Sequence, residues 1–585
     1  MTSDVPSASE PVETVHSETA PAALLDPVTP PESVPGDTIA VAGSIRWLKA
    51  KVLAARYGHI VLAIVGASLF VFTKPPVADL QAANARADAA ARGVGPSYWL
   101  NWFAGSTPGG YSILMPTITA WLGVATAAAS SVVVIAILAR PVLIGARRQR
   151  SGAYLLVLCA LCNLWSGRVA FALAAACSVA ALVVLRHPFG DRTNIGPIPV
   201  RRIQPWLAGA VNALAALMSP LAPMFVLIGL SGPFIVRPEQ RGKILRFAGV
   251  SLLGLLLPAV LFGTPGPMPY AAVTLCWTVG ILLAAACLRV PRELRFSLLI
   301  GAAVAVGIFA FPNGVGANMG RYAFLAMPPL VWAVTEAPKR VIALGLIPAM
   351  FYSGYQVIGD VHRASAPEAK PEYFTALRDE LATLPHLHEY RVEVIDTSTH
   401  LGDNYLVPTA YLARGWENQS DTEANPIFYT GQPLNADVYR RWLDSAAVAW
   451  IAVPSHPLER TDEEAALVKG GLPYLKQIWA DKGGRWTLYA VKDPQPIVSP
   501  PNRLVRADET TMRIEVPQSG HITVRIRLLK YLTLTKVDDP ATKICLLPDG
   551  DTAIDAVVPS PGTYDLQGKF DLTKVLGSSD CPSRP

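Results

Sequence analysis

Arg241-Gly242-Lys243-Ile244-Leu245-Arg246-Phe247-Ala248-Gly249-Val250-Ser251-Leu252-Leu253-Gly254-Leu255-Leu256-Leu257-Pro258-Ala259-Val260-Leu261-Phe262 sets three cations directly before a run without a single charge. A run this apolar satisfies its backbone polar groups in lipid by coiling into a helix, and the cations mark where the helix leaves the membrane. The pattern recurs along the chain. Apolar segments fall at 59–73, 112–139, 152–166, 169–185, 206–218, 221–236, 247–262, 271–288, 296–311, 322–335 and 341–358, which predicts about eleven transmembrane helices. With 585 residues, 51% hydrophobic, 16% charged and a mean hydropathy of +0.34, the chain is too apolar for a soluble multidomain protein.

Charge is distributed unevenly. Residues 1–40 hold seven acids and no base, residues 41–359 carry a net charge of +20, and residues 360–585 a net charge of −7. A uniformly basic nucleic-acid-binding surface is thereby excluded. The first apolar run begins after more than fifty residues and has basic flanks, so it is expected to remain a membrane helix and not to be cleaved as a signal.

Loop charges decide how the segments are connected. With the N-terminus in the cytoplasm and strict alternation, the inner loops hold Arg140, Arg147, Arg148, Arg150, Arg186, Arg192, Arg201, Arg202, Arg237, Arg241, Lys243, Arg246, Arg289, Arg292, Arg295, Lys339 and Arg340. The outer loops hold Lys74, Arg86, Arg92, Arg168 and Arg321. This asymmetry is the positive-inside pattern. It requires real turns at Gly167-Arg168 and Ser219-Pro220, because merging either pair would invert every later loop. The expectation is a multi-pass plasma-membrane protein with a cytoplasmic N-terminus and an extracytoplasmic C-terminal region.

Four regions follow. Residues 1–45, rich in Pro and carboxylates, read as a disordered cytoplasmic tail. Residues 46–359 form the transmembrane domain. Residues 360–495 are expected to form an extracytoplasmic α/β domain, with strands at Tyr390–Asp396 and Trp450–Val453 and helices at Pro371–Leu384 and Asn435–Ala447. Residues 496–585, beyond the Pro-rich joint at 494–501, read as a β-sandwich-like module with strands at Met512–Val516, His521–Leu528, Lys543–Leu547 and Gly562–Leu566. Five of the seven cysteines lie in apolar runs. The other two, Cys545 and Cys581, face an oxidising space and are expected to pair.

Candidate functional residues concentrate on the outer face. All six acids of the transmembrane domain (Asp79, Asp88, Asp191, Glu239, Glu293 and Glu336) are predicted in loops, which weighs against an ion-coupled transporter. The long loop Lys74–Gly110 carries Asp79 and Asp88 and ends in Tyr98-Trp99-Leu100-Asn101-Trp102, with Tyr111 just beyond. Its aromatics suit either an interfacial belt or stacking on sugars and isoprenoids. A second loop places three glycines, Asn313 and Asn318 before Arg321, whose fork suits a lipid phosphate or else anchors at the membrane surface. Arg168 and Lys74 are expected on the same face. In the C-terminal region His400, Asp403, Trp416 and Glu417 stand out, but His400-x-x-Asp403 completes no metal pattern. Gly-x-Ser-x-Gly, Walker and dinucleotide fingerprints are absent from the sequence.

Together, Tyr98-Trp-x-x-Trp102-x-x-Gly105, Tyr111-Ser112, Ser166-Gly-Arg168-Val-x-Phe171, Gly316-x-Asn318-x-x-Arg321, Ala413-Arg-Gly-Trp416-Glu-x-Gln and Asn425-Pro-x-Phe428-Tyr429 resemble a family of actinobacterial polytopic membrane proteins related to the GT-C glycosyltransferase superfamily. The resemblance implies a GT-C-like fold and a polyprenyl-phosphate sugar as donor, with an acid of the first outer loop as catalytic base. It assigns the base to Asp79 or Asp88, which stand nine apart and not in the superfamily's usual Asp-x-Asp or Glu-x-Asp pair. Donor phosphate would be bound by Arg168, Arg321 and Lys74. Acceptor or lipid contacts would come from Tyr98, Trp102, Tyr111, Asn318, His400, Trp416 and Glu417. Membrane lipids and a cell-envelope glycan acceptor are the partners implied; no cofactor is required by the sequence and no metal ligands are assigned, a divalent cation being the candidate. A non-catalytic envelope-assembly scaffold and a lipid or solute transporter are the alternatives.

Overall fold

A computed structural model describes residues 56–187, 194–195, 198–577 and 581. The acidic tail expected at 1–45 and Arg192 lie outside the described residues.

Every predicted apolar segment contains helix. Among the described residues six helices are long and apolar enough to cross a membrane: Arg56–Thr73, Val124–Val142, Val169–Arg186, Pro238–Phe262, Arg292–Ala310 and Lys339–Arg363. Leu221–Val236 and Ala272–Cys287 are apolar but shorter. The chain is a multi-pass membrane protein, and length and composition give six spans where the sequence predicted about eleven. Gly and Pro account for part of the shortfall. The segment expected at 112–139 divides at Gly123 (φ +79°) into Met115–Leu122 and Val124–Val142. The segment expected at 322–335 opens with a π-turn at Tyr322–Ala326 before Met327–Val334.

The loops between helices gather into two groups. In one, Leu217 accepts from the backbone N–H groups of Ile113 and Leu114, Met268 donates to Asn313, and Arg168 reaches Gln356. In the other, Arg148 donates to Ala337, Arg186 to Val142, Glu336 to Arg289, and Arg237 pairs with Glu293. The chain turns between helices at Gly167 and at Ser219, the two breaks that the loop charges called for. Cations of the second group cap the exposed carbonyls of helix ends.

The loop expected at Lys74–Gly110 is not wholly a loop. Residues Ala78–Ala91 form a helix, as eight alanines dictate by propensity once Pro75 and Pro76 have stopped the preceding helix.

Beyond Arg363 the chain builds two β-containing layers on the first loop group. A four-stranded sheet runs in the order Arg391–Val394, Val448–Pro454, Trp486–Val491, Leu475–Ala480; its first pair is parallel and the others antiparallel. Pro371–Leu381, Ala436–Ser445 and Asp462–Lys469 are its helices. Val448–Pro454 is buried along its whole length, as a central strand must be. The end module pairs a five-stranded sheet (Asp539–Ile544, Leu532–Lys536, Gly562–Gly568, Thr511–Val516, Arg503–Ala507) with a three-stranded one (Leu546–Asp549, Ala553–Val558, Gly520–Val524). Their alternating apolar residues, among them Ile514, Val524, Leu534, Ile554 and Leu566, share one core. Cys545 and Cys581 are joined by a disulfide, as expected.

Candidate functional site

Helical geometry sorts the acids first. Nine residues advance a helix by half a turn beyond two full turns, so Asp79 and Asp88 point to opposite sides of Ala78–Ala91. Asp88 is exposed, whereas Asp79 faces the bundle and its Oδ2 lies 3.4 Å from Arg168 Nε. Seven residues nearly close two turns, so Arg86 shares the face of Asp79. It is buried, and its guanidinium forms an ion pair with Glu417 of the C-terminal region while lying 4.4 Å over the ring of Tyr111.

Arg168 is held by a tight turn. Gly167 adopts φ +74°, and a Cβ there would stand 2.6 Å from Val77 Cγ2 and 2.9 Å from the Leu80 backbone nitrogen. Only glycine lets this turn approach the start of the Asp79 helix so closely. Arg168 also donates to Gln356 Oε1 at 3.1 Å.

Arg321 lies 5.3 Å over the ring of Phe171 and makes no hydrogen bond or ion pair with the described residues. The charges acting on it are those of Arg168, Asp79 and Asp360. Asp360, bonded to Arg363 Nη2 at 2.6 Å, lies one residue beyond the membrane domain expected to end at 359 and is therefore not among the expected site residues. The spacing of Gln356 and Asp360, four apart near the end of one helix, was the available signal.

Phe171 and Asn163 also line an apolar cavity of about 730 Å³, which continues past Leu182 and Phe225 to Arg186, Arg237 and Lys243 in the opposite loop group. Arg321, over the Phe171 ring, therefore stands beside the wall of this cavity.

Several expected site residues are placed elsewhere. Lys74 is exposed (φ +42°) and joins no ion pair among the described residues. Tyr98 and Trp102 are 1% and 0% exposed, so neither the belt nor the ligand-stacking role fits them. Tyr98 packs into the core of the end module against Gly568, and burial pushes its hydroxyl pKa up. Trp102 donates its Nε1–H to the Asp403 carbonyl at 3.1 Å and covers Gly415, where a Cβ would come within 2.3 Å of the indole. These rings are the studs that fasten the loop to the C-terminal domain. Asn318 lies in the 3-10 turn Gly316–Met319 just before Arg321.

His400 and Trp416 stack at 3.4 Å and 7°, with Arg460 5.1 Å from the indole. They border a buried acidic group. Arg414 grips Asp421 at two points (3.1 and 2.7 Å) and Glu464 at 3.2 Å. Burial, with Glu464 next, raises the pKa of Glu393 well above the usual carboxyl range. Burial likewise pushes Glu464 up to about 7. Asp421 is held below its ordinary value, because the charge and hydrogen bonds of Arg414 outweigh burial.

The chain is similar to structures solved by cryo-EM of the arabinofuranosyltransferase AftD from Mycobacteria. One shows 13% identity over 87% of this chain and 58% of that chain, with a TM-score of 0.39. Two classes of a mutant form show 12% identity over the same share of this chain, 60% and 61% of theirs, and TM-scores of 0.40 and 0.42. The chain thus spans about 60% of the AftD length it matches. No protein-family model matches, and no curated protein matches.

Proposed function

We propose that this protein is a glycosyltransferase of cell-envelope assembly that takes sugar from a polyprenyl-phosphate carrier on the extracytoplasmic face of the plasma membrane. In this reading residues 46–359 cross the membrane eleven times from a cytoplasmic N-terminus, and the α/β domain (360–495) and β-rich module (496–585) guide a glycan acceptor. The observation that carries it is unpaired Arg321, beside the Asp79–Arg168 pair and Phe171, which lines one end of the apolar cavity.

Each group has a chemical task. The isoprenoid chain occupies the cavity, which places its phosphate near Arg321. Asp79 removes the proton of the acceptor hydroxyl, the freed oxygen attacks the anomeric carbon, and the bond from that carbon to the phosphate oxygen breaks. Polyprenyl phosphate leaves with the electron pair, its charge stabilised by Arg321 and by Arg168 once Asp79 is protonated. Asp88, on the far side of its helix, has no part in the reaction.

The test is complementation of a deletion strain, with lipid-linked sugars and envelope glycans analysed. Asp79→Asn should lower turnover by about a hundredfold or more while membrane insertion survives. Arg321→Ala should raise the donor requirement, with Lys rescuing in part because an ammonium lacks the planar fork. Asp88→Asn should behave as the native chain. Full activity of a chain carrying both Asp79→Asn and Arg321→Ala would overturn the reading in favour of a scaffold. Reporter fusions placing residues beyond 359 in the cytoplasm would overturn it equally.

A further inference from the structure

We propose that Asp396, His400 and Asp403 form a binding site for a divalent metal ion of the Mn2+ class. The three follow the strand Arg391–Val394, and one ligand atom from each lies within 4.8 Å of the others. His400 is 4% exposed and takes a left-handed backbone (φ +56°). Its ring is fixed twice, flat against Trp416 and by the hydrogen bond from Nδ1 to Asp396 Oδ2. A metal ion would take the place of the proton shared between Nδ1 and Oδ2, so that both atoms become ligands and the proton is released to solvent.

A separate observation calls for a cation there. Asp403 is 7% exposed, and its carboxylate has no hydrogen bond or ion pair among the described residues; its contact with Trp102 runs through the backbone carbonyl. Glu393 behind it is wholly buried, and neither carboxyl oxygen accepts a hydrogen bond. Four buried carboxyl groups (Glu393, Asp403, Asp421 and Glu464) and the half-buried Asp396 face two arginines. Arg414 pairs with Asp421, Glu464 and, at 3.7 Å, Glu393, and Arg460 reaches Asp396 at 3.4 Å, so that neither arginine reaches Asp403. A buried carboxyl group without a partner is costly, and a divalent ion between Asp403 and Asp396 would give Asp403 the partner it lacks among the described residues. Two carboxylates with one imidazole suit Mn2+ better than Mg2+ or Ca2+, which prefer all-oxygen donors.

The inference is independent of the transferase reading, because its readout is binding. The full-length chain in nanodiscs would be stripped with chelator and titrated with Mn2+, free ion being followed by electron paramagnetic resonance. One saturable Mn2+ per chain is expected, with a nitrogen coupling from imidazole in the pulsed spectrum. Asp403→Asn should weaken binding at least tenfold, His400→Gln should abolish the nitrogen coupling, and exposed Asp88→Asn should change neither. Absence of saturable binding, a bound ion without nitrogen coupling, or equal affinity in Asp403→Asn would overturn the proposal. Should Asp403→Asn fail to fold, the spectrum of the unaltered chain still decides.

Discussion

Replacing Glu417 by Gln probes how the C-terminal region is locked onto the helix bundle. The carboxylate and the Arg86 guanidinium are 6% and 4% exposed, so water screens neither. Arg86 Nε and Nη1 already lack hydrogen-bond partners, and Glu417 Oε2 carries both the ion pair and the bond from Ser420 at 2.8 Å. The amide keeps the size and the Ser420 contact but leaves the guanidinium charge with the ring of Tyr111 alone. Breaking one side of a buried pair costs about 3–5 kcal/mol, which at 1.36 kcal/mol per tenfold corresponds to a rise of about a hundredfold to several thousandfold in local opening. Hydrogen exchange of the Ala78–Ala91 amides in nanodiscs reads this opening directly. Arg86→Met with Glu417→Gln removes the stranded charge, so the double variant should exchange more slowly than Glu417→Gln alone. Protection within threefold of the native chain in Glu417→Gln, or additive effects in the double variant, would refute the idea that this pair is the lock.

Gly415→Ala should loosen the same docking, since its Cβ would press into the Trp102 indole; a loss of about 1–3 kcal/mol is expected in thermal unfolding. Gly167→Ala should separate Arg168 from Asp79 and lower complementation even though it removes no charged group. Cys545→Ser opens a loop of 36 residues, which should cost the end module about 3–4 kcal/mol on the chain-entropy model and raise its protease sensitivity. The proton on Glu464 gives a pH signature. Its folded pKa, about 7, exceeds the usual carboxyl value, so between about pH 4.5 and 7 the folded chain binds a proton that the unfolded chain has released. Its contribution is therefore full below about pH 4.5 and is lost as pH rises to 7, by an amount on the order of 3 kcal/mol. Glu464→Gln should flatten that part of the stability profile; an unchanged slope would show that Glu464 does not titrate there.

Legibility in the sequence followed the range of the interaction. Arg241 to Phe262 reads as a helix because hydropathy and the adjoining cations are properties of neighbours in the chain. The turn at Gly167 was legible through the alternation of loop charge, and the strands of the end module through apolar residues at every second position. The pairing of Cys545 with Cys581 followed from the elimination of the other five cysteines. Asp79 and Asp88 show where such reasoning stopped. They stood in one loop as equal candidates until that loop proved to hold a helix, and half a turn of rotation then gave Arg168 to one and solvent to the other.

By itself, then, the sequence determined a multi-pass helical membrane protein with an acidic α/β and β-rich end, because burial of apolar surface and placement of charge act locally. Tertiary structure decided what each aromatic and charged group does. Tyr98 and Trp102 look like surface rings from their own loop, yet they are core residues of domains hundreds of positions away. Arg86 finds Glu417 across 331 residues, and Asp79, Arg168, Arg321 and Asp360 come from four separate elements. No spacing rule encodes such meetings, because they depend on how packed helices and sheets close on one another, and a guanidinium is an anchor, a clamp or a phosphate ligand according to what stands within a few ångströms of it.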